Sequence, residues 1–410
     1  MFPELKEQYL DKTYQYLLVL LAFLIPLTVF GANLIIVIIC LIWLFSGEYH
    51  NKLKRIFSSK ILISSIIFFS IHLIGLIWTQ DIMWGLEIIH KMWYFLLLFP
   101  ILFTIVKRKY IKTYIYSFLL AIALTEIFSF LIWFEVIQPF KNATISNPTP
   151  FMSHISYNPI LAFSTYIVLH QIFLNKNLEG FMFFGHVVFA ISMIVNMFIT
   201  SGRAGQVMFF AMLAILIFQF FNKEKIKSLF AVLIIIPSIF FLAYQTNDSF
   251  KNRVNITIEN STNYSKLNDD CSIGCAKTSS VGQRITFALH SWEIIKRHPI
   301  LGVGTGDFPS EFKKINIKTP NNPNATNPHN MYLLVMTQLG IIGLISFLSI
   351  FYFMIKFSFS SKNQFIRDTG LTLPLLFLLV MFSDSYLLGH YTTLMFVFFS
   401  SFLYNNFEKP

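Results

Sequence analysis

Five ionisable side chains stand at the ends of apolar stretches, where a charge is costly and therefore informative. His329 and Asn330 open the segment NPHNMYLLVMTQLGIIG, residues 327–343, directly after Pro328. Arg203 lies in TSGRAGQ between Gly202 and Gly205, and Arg284 lies in SSVGQRITFALHSWEIIKRHPILGVGTGDF. His154 lies in FMSHISYNP, and Asp384 is flanked by Ser383 and Ser385. Two kinds of chemistry follow from these residue types. A His at a helix start is favoured in its neutral form by the helix dipole, and a neutral imidazole can take a proton from a hydroxyl. Asn330 beside it can hold an oxygen by hydrogen bond. A guanidinium fork suits a phosphate or diphosphate, and flanking glycines expose amide donors where the next helix begins. Asp384 could orient a His, pair an Arg or serve as a structural partner within a helix bundle. Each residue also has a plainer reading. Arg203 can snorkel to an interface, Arg284 can sit on the solvated face of a surface helix, and His329 can cap a helix at a membrane boundary.

The surroundings of Arg284 have their own pattern. Ile285, Leu289, Trp292 and Ile295 or Lys296 recur at helical spacing, as in a helix lying along a membrane surface with Trp292 at headgroup level. The glycines of HPILGVGTGDF follow no strand and open no helix, so they do not form a dinucleotide fingerprint. A tight turn returning the chain to the membrane fits them better. His72, Glu87, His90, Glu126, Glu135, His170 and His186 are scattered without metal-site spacing. No P-loop, Ser–His–Asp pattern or HExxH motif occurs. Neither a metal nor another cofactor is expected. Cys40 reads as a core residue, whereas Cys271 and Cys275 in DDCSIGCAK could close a small disulfide outside the cell, a reading preferred to a metal site.

These residues need elements to carry them. The chain is 55% hydrophobic, only 12% charged and holds 48 Phe, far from the composition of a soluble domain. Apolar runs long enough to cross a hydrocarbon core recur throughout. Twelve spans are expected, near 14–30, 32–46, 61–79, 91–106, 111–135, 157–174, 181–200, 204–221, 229–244, 330–356, 367–389 and 391–405. The fourth is short, contains Pro100 and could be tilted or re-entrant. The fold class is therefore all-α, a polytopic helical membrane protein of about twelve transmembrane helices with one large periplasmic loop before the tenth. Its organisation reads as helices one to nine in 1–244, a loop with interfacial helices in 245–328, and the last three helices in 329–410. Lys52, Lys54, Arg55, Lys60, Lys107, Arg108, Lys109 and Lys112 crowd two short loops on one side, while the short loops opposite hold only Lys91, Lys141 and Arg203. By the positive-inside rule both termini face the cytoplasm. The net charge of +11 then reflects topology, and no nucleic-acid partner is implied. On this topology all five side chains approach the outer face.

HNMYLLVMTQLGIIG, with His329, Asn330, nine residues and then Gly340-X-X-Gly343, resembles the signature of the bacterial O-antigen ligase and polymerase superfamily. SGRAGQ resembles that family's Ser-X-Arg-X-Gly segment, and GQRITFALHSWEIIKRHPILGVGTGDF resembles its loop helix with Arg followed by a Pro-X-X-Gly-X-Gly turn. The likeness covers roughly residues 190–390, and it is nearer to the ligases. It implies a metal-independent, inverting glycosyltransferase of the bacterial inner membrane. Such an enzyme moves a glycan from undecaprenyl diphosphate to a sugar hydroxyl of lipid A–core among the membrane lipids. Carried over by motif, Arg203 and Arg284 would bind the diphosphate and stabilise it as leaving group, and His329 would activate the acceptor hydroxyl. Asn330, His154 and Asp384 fall at plausible substrate-binding places. A polymerase or a protein O-oligosaccharyltransferase would share this chemistry and differ only in acceptor. A lipid-linked oligosaccharide transporter would instead show internal repeats and charges at mid-membrane depth.

Overall fold

Long runs of Leu, Ile and Phe have few solutions in hydrocarbon, because every backbone group must be bonded within the protein, and the α-helix is the one this chain adopts. The computed structural model describes residues 2–141, 143–200, 202–263, 279–316 and 324–407, and among these it is all-helical. Cys271 and Cys275, with the disulfide expected of them, lie outside the described residues. The first half comprises α1 (Phe2–Leu24), α2 (Val29–Phe45), α3 (Tyr49–Ser58), α4 (Lys60–Gly75), α5 (Ile82–Trp93), α6 (Phe99–Ile105), α7 (Ile111–Trp133) and α8 (His154–Leu174). The second comprises α9 (Gly180–Ile199), α10 (Arg203–Phe221), α11 (Lys225–Thr246), α12 (Asp248–Asn263), α13 (Ser280–Arg297) and α14 (Phe308–Asn316), then α15 (Met331–Phe359), α16 (Gln364–Val380) and α17 (His390–Leu403).

Each expected span overlaps a helix, although 14–30 runs past the end of α1 at Leu24 and 367–389 past the end of α16 at Val380. Length and composition alone single out seven as able to cross a membrane, or eight if α2 and α3, bent by 117°, count as one broken span. The others fall short for identifiable reasons. α8 carries Asn158, Ser164, Thr165 and His170, all buried among its neighbours. α16 has 17 residues and α17 only 14. α17 is buried without interruption from Thr392 to Leu403, so it meets protein rather than lipid. At the other extreme, α11 buries only Ser228 and Ala243 and forms the rim of the bundle. The fourth span is longer than its sequence suggests. α5 runs through a π-helical turn, Tyr94–Leu98, into α6, so that one continuous segment covers Ile82–Ile105.

The glycine-rich turn fastens the segment between α11 and α15 to the membrane helices. Gly302, Gly304 and Gly306 all have positive φ, at 69°, 115° and 96°, a region closed to most residues. The turn presses against a break in α15, where Gly340 has φ 60° and ψ −158°. A break strands backbone groups that the helix would have satisfied. Here Val303 N–H donates to the Thr337 carbonyl, Gly304 N–H to that of Gln338, and Ile341 N–H to that of Pro299, each at 2.9 Å. Gly340 therefore does more than permit close helix packing, because its conformation opens the helix and the turn closes it again.

Asp307 locks the same turn from the other side. Its buried carboxylate accepts from Thr79 Oγ1 at 2.7 Å, Asp81 N–H at 2.8 Å and Gln80 N–H at 2.7 Å. Nothing in the sequence pattern marked this residue. The lock fixes where α13 and α14 stand over the bundle, and hence where Arg284 stands.

Candidate active site

α8, α10 and α15 begin at one end of the bundle, α16 finishes there, and α12 and α13 lie across that end. Asn330 is the cap of α15. Its Oδ1 accepts from Leu333 N–H at 3.1 Å and its Nδ2 donates to the Phe382 carbonyl at 3.2 Å. An amide engaged at both ends takes part in the fold as the cap of α15.

His329 stands just outside the helix in a left-handed conformation, φ 51°, with its N–H donating to Asn327 Oδ1 at 2.9 Å. Left-handed backbone at a residue other than glycine is strained and is tolerated where the surroundings over-determine it. Here the strain turns the imidazole towards Asp384, whose Oδ1 lies 3.1 Å from Nδ1. Asp384 is held in turn by the N–H of Ser385 at 2.7 Å. A carboxylate only accepts hydrogen bonds, so Nδ1 carries a proton in this pair, and in the neutral ring the lone pair is then on Nε2. The ring stacks on Phe287 of α13, centroids 6.0 Å apart and planes 21° apart. Of the roles open to Asp384, the structure selects the orientation of a His.

The arginines converge from three helices. Arg203, at the start of α10, donates from Nη1 to Thr257 Oγ1 on α12 at 2.9 Å. Arg253, also on α12, donates from Nη1 to the Thr200 carbonyl at 3.2 Å. Burial, and then the charge of Arg203, pull the pKa of Arg253 down. Arg284 lies within electrostatic reach of Arg203 and of Tyr386, and donates to Ser280 Oγ at 3.4 Å. Neither Arg203 nor Arg284 has a carboxylate partner among the described residues. The like charges of Arg203 and Arg284 repel one another, and a bound anion would relieve that repulsion.

His154 lies within reach of the charges of Arg253 and Arg203, its Nδ1 2.6 Å from the side-chain amide of Asn147. The Tyr386 phenol is pushed up to about 12, chiefly by burial, so it stays protonated and is no base. Gly202 and Gly205 serve helix packing. A Cβ at Gly205 would lie 2.1 Å from Asn158 Cβ on α8, and one at Gly202 2.6 Å from Asn158 Nδ2. The glycines beside Arg203 thus let α10 approach α8 closely.

Arg253, Tyr386, Phe287 and Asn327 belong to this site without having been singled out in the sequence. Arg253 sits in NDSFKNRVNIT, which has no spacing to draw attention. Tyr386 follows Asp384 by two residues, the one local cue available. Among the described residues no group of three or more His, Cys, Asp or Glu could hold a metal ion.

With this geometry in view, residues 188–348 match the family model described as O-antigen ligase. The matched segment contains Arg203, Arg253, Arg284 and His329, and leaves His154 and Asp384 outside it. No curated protein matches the chain.

Proposed function

We propose that the chain, whose residues 188–348 match the O-antigen ligase family model, is an O-antigen ligase of the bacterial inner membrane. It transfers a glycan from undecaprenyl diphosphate to a sugar hydroxyl of lipid A–core at the periplasmic face. The observation that carries this reading is an imidazole held by Asp384 at the end of the bundle where Arg203 and Arg284 lie near each other, neither of them with a carboxylate partner among the described residues. The reaction requires a base for the acceptor hydroxyl and positive charge for the departing diphosphate, and these are the two functions the cluster can perform.

The acceptor oxygen attacks the anomeric carbon while its proton passes to Nε2 of His329. Asp384 stabilises the imidazolium that forms, as a carboxylate does beside any His acting as general base. The bond from the anomeric carbon to the phosphate oxygen breaks, and undecaprenyl diphosphate leaves with the electron pair. Arg203 and Arg284 neutralise the charge that grows on it, with Arg253 adding to the field. In-line displacement inverts the anomeric centre. Both substrates are anchored in lipid, so their encounter is confined to a plane and much of the catalytic task is orientation.

The test is a deletion strain examined by lipopolysaccharide gel and for glycosylated proteins, then complemented with Arg203→Ala, Arg284→Ala and His329→Ala. Loss of long-chain lipopolysaccharide with accumulation of lipid-linked polymer is the expected result for the deletion and for each variant. A core bearing a single repeat would identify a polymerase instead. Unchanged lipopolysaccharide with lost glycoprotein would identify a protein glycosyltransferase. Full complementation by all three variants would refute the site.

A further inference from the structure

His329 touches two different walls. Its ring face meets Phe287 on the helix that carries Arg284, and its Nδ1 meets Asp384. Asp384 also lines a separate cavity of about 300 Å³, which lies between α5, the start of α8 and the chain around Asn327 and Ser385. That volume is at the lower end for small-molecule sites. Trp84, Lys91, Thr326, Asn327, Asp384 and Ser385 are among its lining residues.

The lining combines the aromatic rings of Trp84 and Tyr386 with a carboxylate, an amide, an ammonium, the hydroxyls of Ser156, Thr326, Ser385 and Thr392, and apolar side chains. The Lys91 ammonium is answered by Glu87 at 3.2 Å, so the cavity is not a second anion trap like the arginine cluster. Asn327 accepts through Oδ1 from His329 N–H and from Ser385 Oγ at 2.9 Å each, and neither bond uses its NH₂ donors. The Lys91 ammonium also lies over the Trp84 ring, 5.7 Å from its centroid.

A pyranose ring has the matching dual character. One face offers C–H groups that pack on an aromatic ring, and its edge offers hydroxyls that both donate and accept. A diphosphate would need free cations; Lys91 is paired with Glu87 here, and Arg284 stands on the helix that carries Phe287. In-line displacement brings donor and acceptor to the reacting carbon from opposite sides. We propose that this cavity is the acceptor-saccharide subsite, in which a hexopyranose of the acceptor packs against Trp84 and hydrogen-bonds Asn327, Asp384 and Ser385, holding the acceptor chain beside His329. The assignment rests on the glycosyl-transfer reading above, and the experiment separates the two.

The test uses the full-length protein in lipid nanodiscs, with lipid-linked glycan as donor and lipid A–core from a strain lacking O-antigen as acceptor. Binding is read directly with delipidated core oligosaccharide as probe, by saturation-transfer NMR. Trp84→Ala is expected to raise the acceptor KM by about 10-fold, leaving donor KM and kcat within about 2-fold. The affinity for core oligosaccharide falls in parallel, and Trp84→Phe, which keeps an aromatic face, is intermediate in both. Trp84→Phe carries the test if Trp84→Ala does not fold. An unchanged acceptor KM and unchanged oligosaccharide binding overturn the subsite, as does an equal effect on donor KM. Absence of core-oligosaccharide binding by the unsubstituted protein overturns it too. Retention of transfer by His329→Ala overturns the catalytic reading instead, while the binding arm still judges the cavity.

Discussion

At the residue scale, the Asp384 carboxylate decides which nitrogen of His329 faces the substrate. Asp384→Asn can present its NH₂ to Nδ1, and then the imidazole proton moves to Nε2, where it blocks the acceptor hydroxyl. We expect transfer to fall by about 100-fold or more with acceptor KM little changed, read in a reconstituted transfer assay. Arg203→Lys should recover only part of the activity lost in Arg203→Ala, because a point charge does not reproduce a two-pronged fork on a diphosphate. Titrating donor concentration against both variants checks this. Arg203 and His329 were visible in the sequence because each is a polar group beside an apolar span, and Arg284 because it stands near the start of a loop helix with apolar residues at helical spacing. The pairing of His329 with Asp384 was not, because 55 residues and a helical hairpin separate them and only the fold returns one to the other. Arg253 was hidden for the opposite reason, standing in a polar stretch where an arginine is ordinary.

At the element scale, the meeting of the glycine-rich turn with α15 holds the outer segment to the membrane helices. An apolar helical pattern continues through Gly340 without interruption, so periodicity predicts a straight helix and cannot show the break. What creates it is tertiary. Chain 299–304 supplies the hydrogen bonds that the opened turn needs. Gly340→Ala would place a Cβ 2.2 Å from the Ile300 carbonyl oxygen at a residue with φ 60°. The left-handed strain alone is about 1–3 kcal/mol, and the clash adds to it. The variant should melt earlier in a detergent thermal-shift assay and lose transfer, since α13 and Arg284 would lose their footing. Asp307→Asn tests the other fastening. An amide cannot accept through both of its ends, so one of the three bonds from Thr79, Gln80 and Asp81 must fail. A loss of about 1.5–3 kcal/mol is expected from that bond alone, measured in the same assay.

At the scale of the whole molecule, the proposed chemistry depends on sidedness. Composition made the helical membrane class legible at once, since lipid leaves an apolar chain few alternatives. It was less informative about helices such as α8 and α17, which sit among other helices and can be polar or short without meeting lipid. The chemistry needs α12, α13 and the starts of α8, α10 and α15 to face the compartment where lipid-linked glycan is delivered. The loop joining α15 to α16 must then face the other way, because α15 crosses between them. In a background with Cys271 and Cys275 replaced by Ser, Ser261→Cys on α12 and Lys362→Cys between α15 and α16 give two reporters. A membrane-impermeant maleimide added to intact spheroplasts should label the first at once, and the second only after permeabilisation. The opposite pattern would put His329 and the arginines on the cytoplasmic side. Transfer to an acceptor at the outer leaflet would then be geometrically impossible, however well the residues are arranged.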